Sequence, residues 1–228
     1  YFIIMMLFAS WCFFKFSKDA AVGVVLFSIF IYFGLTNMPW LPLIFIYGLI
    51  GYRIGGFKLS LTIIASFIFI TFTGVLPQAL LSIYLCGIAV IISFILGASL
   101  GIWAAHNDKV SAFMRPINDT MQTMPSFVIL IPFVMFFGIG EFTALLAIIA
   151  YAFVPAMRYT EHGLRNLPET VIEAARMIGC SQAQLLWKVK IPLAMPVIML
   201  GLNQTIMFGL AMLVIAAFAG TTGLGHLI

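Results

Sequence analysis

The sequence predicts an all-α polytopic membrane protein, and three observations carry that prediction. The chain is 64% hydrophobic and only 8% charged, against about 25% charged in soluble domains. Its mean hydropathy is +1.18. Several apolar runs approach the roughly 20 residues that cross a bilayer. A soluble domain with a very large core does not fit this composition. The net charge of +4 does not point to nucleic acid, because the positive residues are scattered between apolar runs, where they orient spans.

Taken in order, residues 1–14 are apolar and stop at Lys15 and Lys18, and residues 20–36 are apolar again. The chain begins at Tyr1 inside an apolar run with no signal peptide in view, so a clipped start is expected. Asn37, Pro39 and Pro42 break the pattern, since proline cannot continue a helix. Residues 40–52 form a third, short run ended by Arg53 and Lys58, and residues 59–76 form a fourth. With about 13 apolar residues the third run is the shortest, and a re-entrant hairpin is its alternative. Pro77 marks a turn before the long fifth run, 79–105, which can tilt or overhang the bilayer. A polar segment, HNDKVSAFMRPINDTMQTMP, follows. Residues 126–139 and 142–158 are the sixth and seventh runs, 193–219 the eighth, and Gly220 to Gly225 a turn. The count is therefore about eight spans.

Charge orients them. If the spans alternate and Lys15 and Lys18 are cytoplasmic, then so are 53–58, 106–124 and 158–192. All eleven Lys and Arg then lie in or beside cytoplasmic segments. The outer turns near 37–42, 74–79, 138–142 and 220–225 hold none, as the positive-inside rule requires.

Within the spans, Gly97 and Gly101 form a GxxxG pattern that lets helix backbones approach closely. Packing inside the chain is the favoured reading and a dimer seam the alternative. Ionisable residues inside spans are nearly absent; Arg158 sits near a span end and can snorkel, and Glu141 sits at an outer turn. The eighth run carries Asn203, Gln204 and Thr205 in succession. Three consecutive polar residues cannot all face lipid without cost, so at least one is expected to face a helix or an aqueous path. Asn203, Gln204, Met207 and Phe208 are the candidate path residues by their place in that run.

Catalysis needs converging nucleophiles, acids or ligands, and none converge here. Cys12, Cys86 and Cys180 are too far apart for ligand spacing, and His106, His162 and His226 are equally dispersed. No metal or cofactor is expected. Gly55-Gly56 lacks the following Lys and Ser/Thr of a P-loop, so the chain is not expected to hydrolyse a nucleotide itself. The scarcity of intramembrane acids weakens a secondary-transporter reading, although sodium coupling through backbone carbonyls would leave little trace.

The longest polar interval is PETVIEAARMIGCSQAQLLWKVKIP, Pro168 to Pro192, and it reads as two short helices. Pro168 suits a first helical position. Glu169 and Glu173 lie near the positive end of the helix dipole. Val171, Ile172, Ala175 and Ile178 form a narrow apolar stripe. Gly179 fits the left-handed residue that closes a helix. Ser181 to Gln184 matches a capping box that starts a second helix, and Pro192 ends that helix or begins the next. The small residues Ala174, Ala175 and Gly179 would allow a partner to approach closely, which favours a docking element over an ordinary loop.

Here the chain resembles the membrane subunits of binding-protein-dependent ABC importers, whose loop reads E-A-A-x3-G-x9-I-x-L-P. Glu173-Ala174-Ala175, Gly179, Val189, Ile191 and Pro192 occupy the marked places. The two departures, Val for Ile and Ile for Leu, keep the apolar character. Arg115-Pro116, Asp119, Met121-Gln122-Thr123, Pro125, Pro132 and Gly138-Ile139-Gly140 are similar to the glycine betaine/proline betaine branch, as is region 159–178. The resemblance covers about 80–228. It implies a type I importer permease fold in the bacterial cytoplasmic (inner) membrane. Residues 1–78 would then be variable N-terminal spans and 79–228 the permease core with a coupling loop at 160–192. The last core span would lie beyond Ile228.

It also implies partners: two ATP-binding subunits, an extracytoplasmic substrate-binding protein, separate or fused, and a second copy of this chain around the path. Glu173 would be the polar anchor, Ala174 and Ala175 the contact surface, and Gly179 the turn. The substrate class would be glycine betaine, proline betaine or a related quaternary amine. The alternatives from other classes are an ion-coupled secondary transporter of a small osmolyte and a membrane enzyme or scaffold.

Overall fold

The computed structural model describes residues 40–217 and residue 220. The expected runs 1–14 and 20–36 and the turn at 221–225 lie outside the described residues. Every element among the described residues is helical. We number them α1 (Trp40–Phe72), α2 (Leu76–His106), α3 (Asp108–Thr123), α4 (Ser126–Phe137), α5 (Glu141–Arg165), α6 (Glu169–Met177), α7 (Gln182–Gln184) and α8 (Ile191–Ala216), with a π-helical turn at Leu185–Lys190 between the last two. The chain divides after Tyr84 into two compact units.

In the first unit, α1 is not one straight rod. Gly55 and Gly56 leave helical geometry, and Gly56 takes φ 72°, a conformation that costs glycine little. The Ser60 hydroxyl donates to the Gly48 carbonyl at 2.8 Å, and Tyr47 stacks on Phe67 with ring centroids 5.1 Å apart. Twelve residues along a straight helix would separate such groups by about 18 Å. The two arms therefore fold back on each other, which is why runs 40–52 and 59–76 read as separate.

In the second unit, α5 is the hub. Its buried face is built largely from small residues, with Ala144, Ala147, Ala152 and Ala156 fully covered. A Cβ placed on Gly97 would lie 2.5 Å from the Phe153 carbonyl oxygen, and one on Gly101 would lie 2.6 Å from that of Met157. Both spacings are below van der Waals contact. The GxxxG pattern thus seats α2 on the backbone of α5, within the chain. Helix α8 also packs along α5, and a Cβ on Gly201 would meet the Tyr159 side chain at 2.8 Å. Leu164, Ala194 and Ile198 close the lower core, with Phe94 and Ile102 against them.

The sixth run differs from the simple span expected. It is a 12-residue helix, α4, about 18 Å long at about 1.5 Å per residue. It cannot cross alone. The polar segment before it is the amphipathic helix α3, opened by the Asn107 side chain, which accepts from the Lys109 and Val110 N–H groups. Met124 is extended at φ −71°, ψ 137°, as a residue before proline prefers, and α4 turns away from α3 by 100°. By length and composition the described residues hold four helices able to cross a membrane, or five if the bent α3–α4 pair is one span.

Candidate functional site

The interval after α5 forms a hook. Pro168 precedes α6 as its N-cap residue, one place earlier than its predicted role. At the far end Gly179 has φ 86°. Its N–H bonds to the Arg176 carbonyl at 2.9 Å and the Cys180 N–H to the Ala175 carbonyl at 3.3 Å. That pair of bonds is the Schellman closure. Ser181 and Gln184 then cap each other reciprocally: Oγ of Ser181 accepts from the Gln184 N–H at 3.3 Å, and Oε1 of Gln184 accepts from the Ser181 N–H at 2.9 Å.

The second helix does not stop. Pro192 stands in the first turn of its final α-helical part, α8, the second of the two roles expected of that proline, and helical structure runs from Gln182 to Ala216 without a break. The reason is the π-helical turn. The Ile191 N–H reaches back to the Leu186 carbonyl, five residues away. A wider turn relieves the clash a proline ring makes with the carbonyl four residues before it. The hook is thus α6, a turn at Gly179, and the foot of the last helix.

The predicted apolar stripe of α6 is split by the fold. Ala175 is 8% exposed and is the buried residue of α6, and α6 packs on the π-helical turn. Its side chain is thus largely covered within the chain. Ile178 is 84% exposed and Met177 89%. Glu173, Ala174 and Gly179 also lie on the open side. Met177 and Trp187 are further exposed apolar groups on the hook, which the stripe did not include. Ile178 was grouped with Ala175 by spacing, yet it follows the last α6 residue as the C-cap, where the chain is already turning.

The other predicted group lies along α8. Thr205 is fully buried and donates to the Gly201 carbonyl at 2.8 Å, so it is the member of the polar triplet that faces the bundle. Asn203 is exposed and Met207 lies one turn on, 56% exposed; at four-residue spacing they share a stripe. Gln204 is half-buried, and Phe208 stacks on Tyr151 of α5 at 5.1 Å. The hook residues and this stripe are separate places on the molecule.

A charged cleft of about 520 Å³, lined by Arg115, Asn118, Asp119, Arg158, Glu161 and Arg165 among others, was not anticipated. It lies between α3 and the last turns of α5. The Arg165 guanidinium donates to Asp108 at 2.8 Å and to the Ala104 carbonyl at 2.7 Å, and pairs with Glu161 at 3.0 Å. Glu161, 8% exposed, also accepts from the Ser111 hydroxyl at 2.5 Å. Arg158 pairs with Asp119 at 3.1 Å and donates to Gln122. Arg158, placed near a span end where it can snorkel, has its charge met by Asp119 of α3. The one local signal for this network was the i, i+4 spacing of Glu161 and Arg165. Among the described residues no group of three or more His, Cys, Asp or Glu is placed to hold a metal ion.

This geometry defines a polytopic helical membrane protein with an exposed helical hook at one end. Residues 97–228 match the family described as the binding-protein-dependent transport system inner membrane component. The chain is 39% identical over 194 residues to the glycine betaine/proline betaine transport system permease protein ProW of Escherichia coli, covering 85% of this chain and 55% of that protein. It is 37% identical over 210 residues to the glycine betaine transport system permease protein OpuAB of Bacillus subtilis, covering 92% and 74%. It is 44% identical over 178 residues to the trimethylamine N-oxide transport system permease protein TmoV of Pelagibacter ubique, covering 78% and 25%. The chain therefore spans between a quarter and three quarters of the length of these relatives. It belongs to the binding-protein-dependent transport system inner membrane component family, and is a multi-pass protein of the bacterial inner membrane.

Proposed function

We propose that this chain is the permease subunit of an ATP-driven importer for glycine betaine, proline betaine or a related quaternary amine. The observation that carries the coupling role is the hook: a helix closed by a left-handed glycine, with Met177 and Ile178 left in the open beside Glu173 and Ala174. Exposed apolar groups at the end of a helix, rimmed by charge, fit a protein partner better than solvent. The partner is an ATPase subunit, and two of them serve two copies of this chain. An extracytoplasmic binding protein, separate or fused, delivers the substrate. The charge pattern puts the hook in the cytoplasm, and crossing by α3–α4 as one broken span keeps that orientation. Each copy lines the path with the Asn203–Met207 stripe and its neighbours Gln204 and Phe208. The named substrates of the relatives support the quaternary-amine class.

The test is uptake of labelled glycine betaine into vesicles holding the full complex, with and without ATP. ATP-dependent uptake supports the reading; uptake driven equally well by an ion gradient without ATP overturns it. Gly179→Asp sharpens it. A side chain is strained at φ 86°, and an added charge would sit at the docking turn. We expect insertion to persist and ATP hydrolysis to continue while uptake is lost. Normal uptake at normal expression would remove the hook from the mechanism.

A further inference from the structure

We infer that α3 is a strap which carries displacement of the hook to the bend at Met124–Pro125, and that Arg165 and Arg158 are its positioning residues. This rests on the coupling role proposed above and adds a route for it. The route is read from the order of contacts. Arg165 is the last residue of α5, just ahead of the Asn166–Pro168 link into α6. It holds Asp108 in the first turn of α3, and through Glu161 it holds Ser111 one turn further on. Two turns up α5, Arg158 holds Asp119 and Gln122 near the other end of α3. The two helices run antiparallel, bolted at both ends of α3. Beyond the second bolt come the bend and α4.

The contacts between the bolts are of a different kind. Asn118 is 2% exposed, yet it donates only to the Met157 thioether at 3.4 Å, and its carbonyl oxygen has no protein partner. The polar cleft lies beside it. The directional charge contacts of the α3–α5 seam thus sit at its two ends, with a weaker polar contact between them. Such a seam transmits a pull while the bolts hold and fails when they are cut. A purely local role for the ion pairs would leave the yield of transport per ATP unchanged.

The experiment uses the whole importer in proteoliposomes and measures ATP hydrolysed per substrate imported. Arg158→Asp, which turns attraction to Asp119 into repulsion, should raise that ratio by about fivefold or more, the scale of coupling between linked sites. Arg165→Gln should do the same. The exchange Arg158→Asp with Asp119→Arg should return the ratio to near wild type. Asp119→Asn, at a half-exposed pair, gives the same reading should the reversed charge prevent assembly. A wild-type ratio in these variants overturns the strap, as does uncoupling that the exchanged pair fails to repair. If the unmodified complex shows no ATP-dependent uptake, it is the importer reading that has failed.

Discussion

Helices α3 and α6 are both short and amphipathic, and both adjoin the lower end of α5, yet they are held in opposite ways. Helix α6 is fixed by local rules: a left-handed glycine after it, a capping box beyond that, and a single buried alanine. It packs on the π-helical turn, and most of its other residues, Glu173, Ala174 and Met177 among them, are exposed. Helix α3 is fixed by distant residues: Ser111 and Glu161 are 50 positions apart, and Asp108 and Arg165 are 57. Local fixation leaves a surface free to bind; distant fixation turns a helix into part of the frame. The comparison predicts that cutting the buried contact of α3 costs stability as well as coupling, whereas damage to the hook costs coupling in a protein that is still folded.

The largest effect should come from Arg165→Ala. It leaves the Glu161 carboxylate, 8% exposed, without its cation. The pair is part-buried, with side chains 29% and 11% exposed, so its loss should approach but not reach the cost of breaking a fully buried pair, about 3–5 kcal/mol. Thermal unfolding in detergent should shift well below wild type. An unchanged midpoint would mean that the cleft admits enough water to treat Glu161 as a surface group. The exposed pair Arg158–Asp119, with side chains 46% and 60% exposed, should behave differently. Its loss by Asp119→Ala should cost about 1 kcal/mol or less, so any effect of that variant on transport would not be a folding defect.

How much of this was legible in the sequence follows the same division. The hook was readable because its signals are close together: Gly179 at the end of α6, then S-x-x-Q two residues later. The fold-back of α1 was readable as two runs with Gly55-Gly56 and two cations between them. The partnership of Gly97 and Gly101 with α5 was readable as a kind of contact, though not which helix supplied it. What hydropathy could not show was that most of 106–124 is a helix, α3 at Asp108–Thr123, and not a loop. Its Asp, Asn and Arg residues lower the local hydropathy and so look like a loop between spans. The same residues are the ones that reach across to α5. Nor could spacing along α6 tell which member of the stripe would be covered, because α6 packs on a π-helical turn that lies at Leu185–Lys190, beyond its own helix.

The smallest effect is the cleanest way to separate the two helices. Ser181→Ala removes the hydroxyl that accepts from the Gln184 N–H, and loss of such a cap costs about 1 kcal/mol. The cap sits between Gly179 and the foot of α8, and its two hydrogen bonds run between Ser181 and Gln184 alone. Were the hook only another strut, so small a loss would be lost among the contacts of the bundle, and both stability and transport would stay close to wild type. If the hook must hold one shape for its partner, the cost falls on that shape. Fraying at residues 181–184 would then loosen the turn while α5 and α8 keep the membrane core intact. The expected result is a barely shifted unfolding midpoint with a measurable rise in ATP hydrolysed per substrate imported, and faster amide exchange confined to 179–185. Exchange that spreads into α5 would show instead that hook and frame melt together, and the distinction between local and distant fixation would fall.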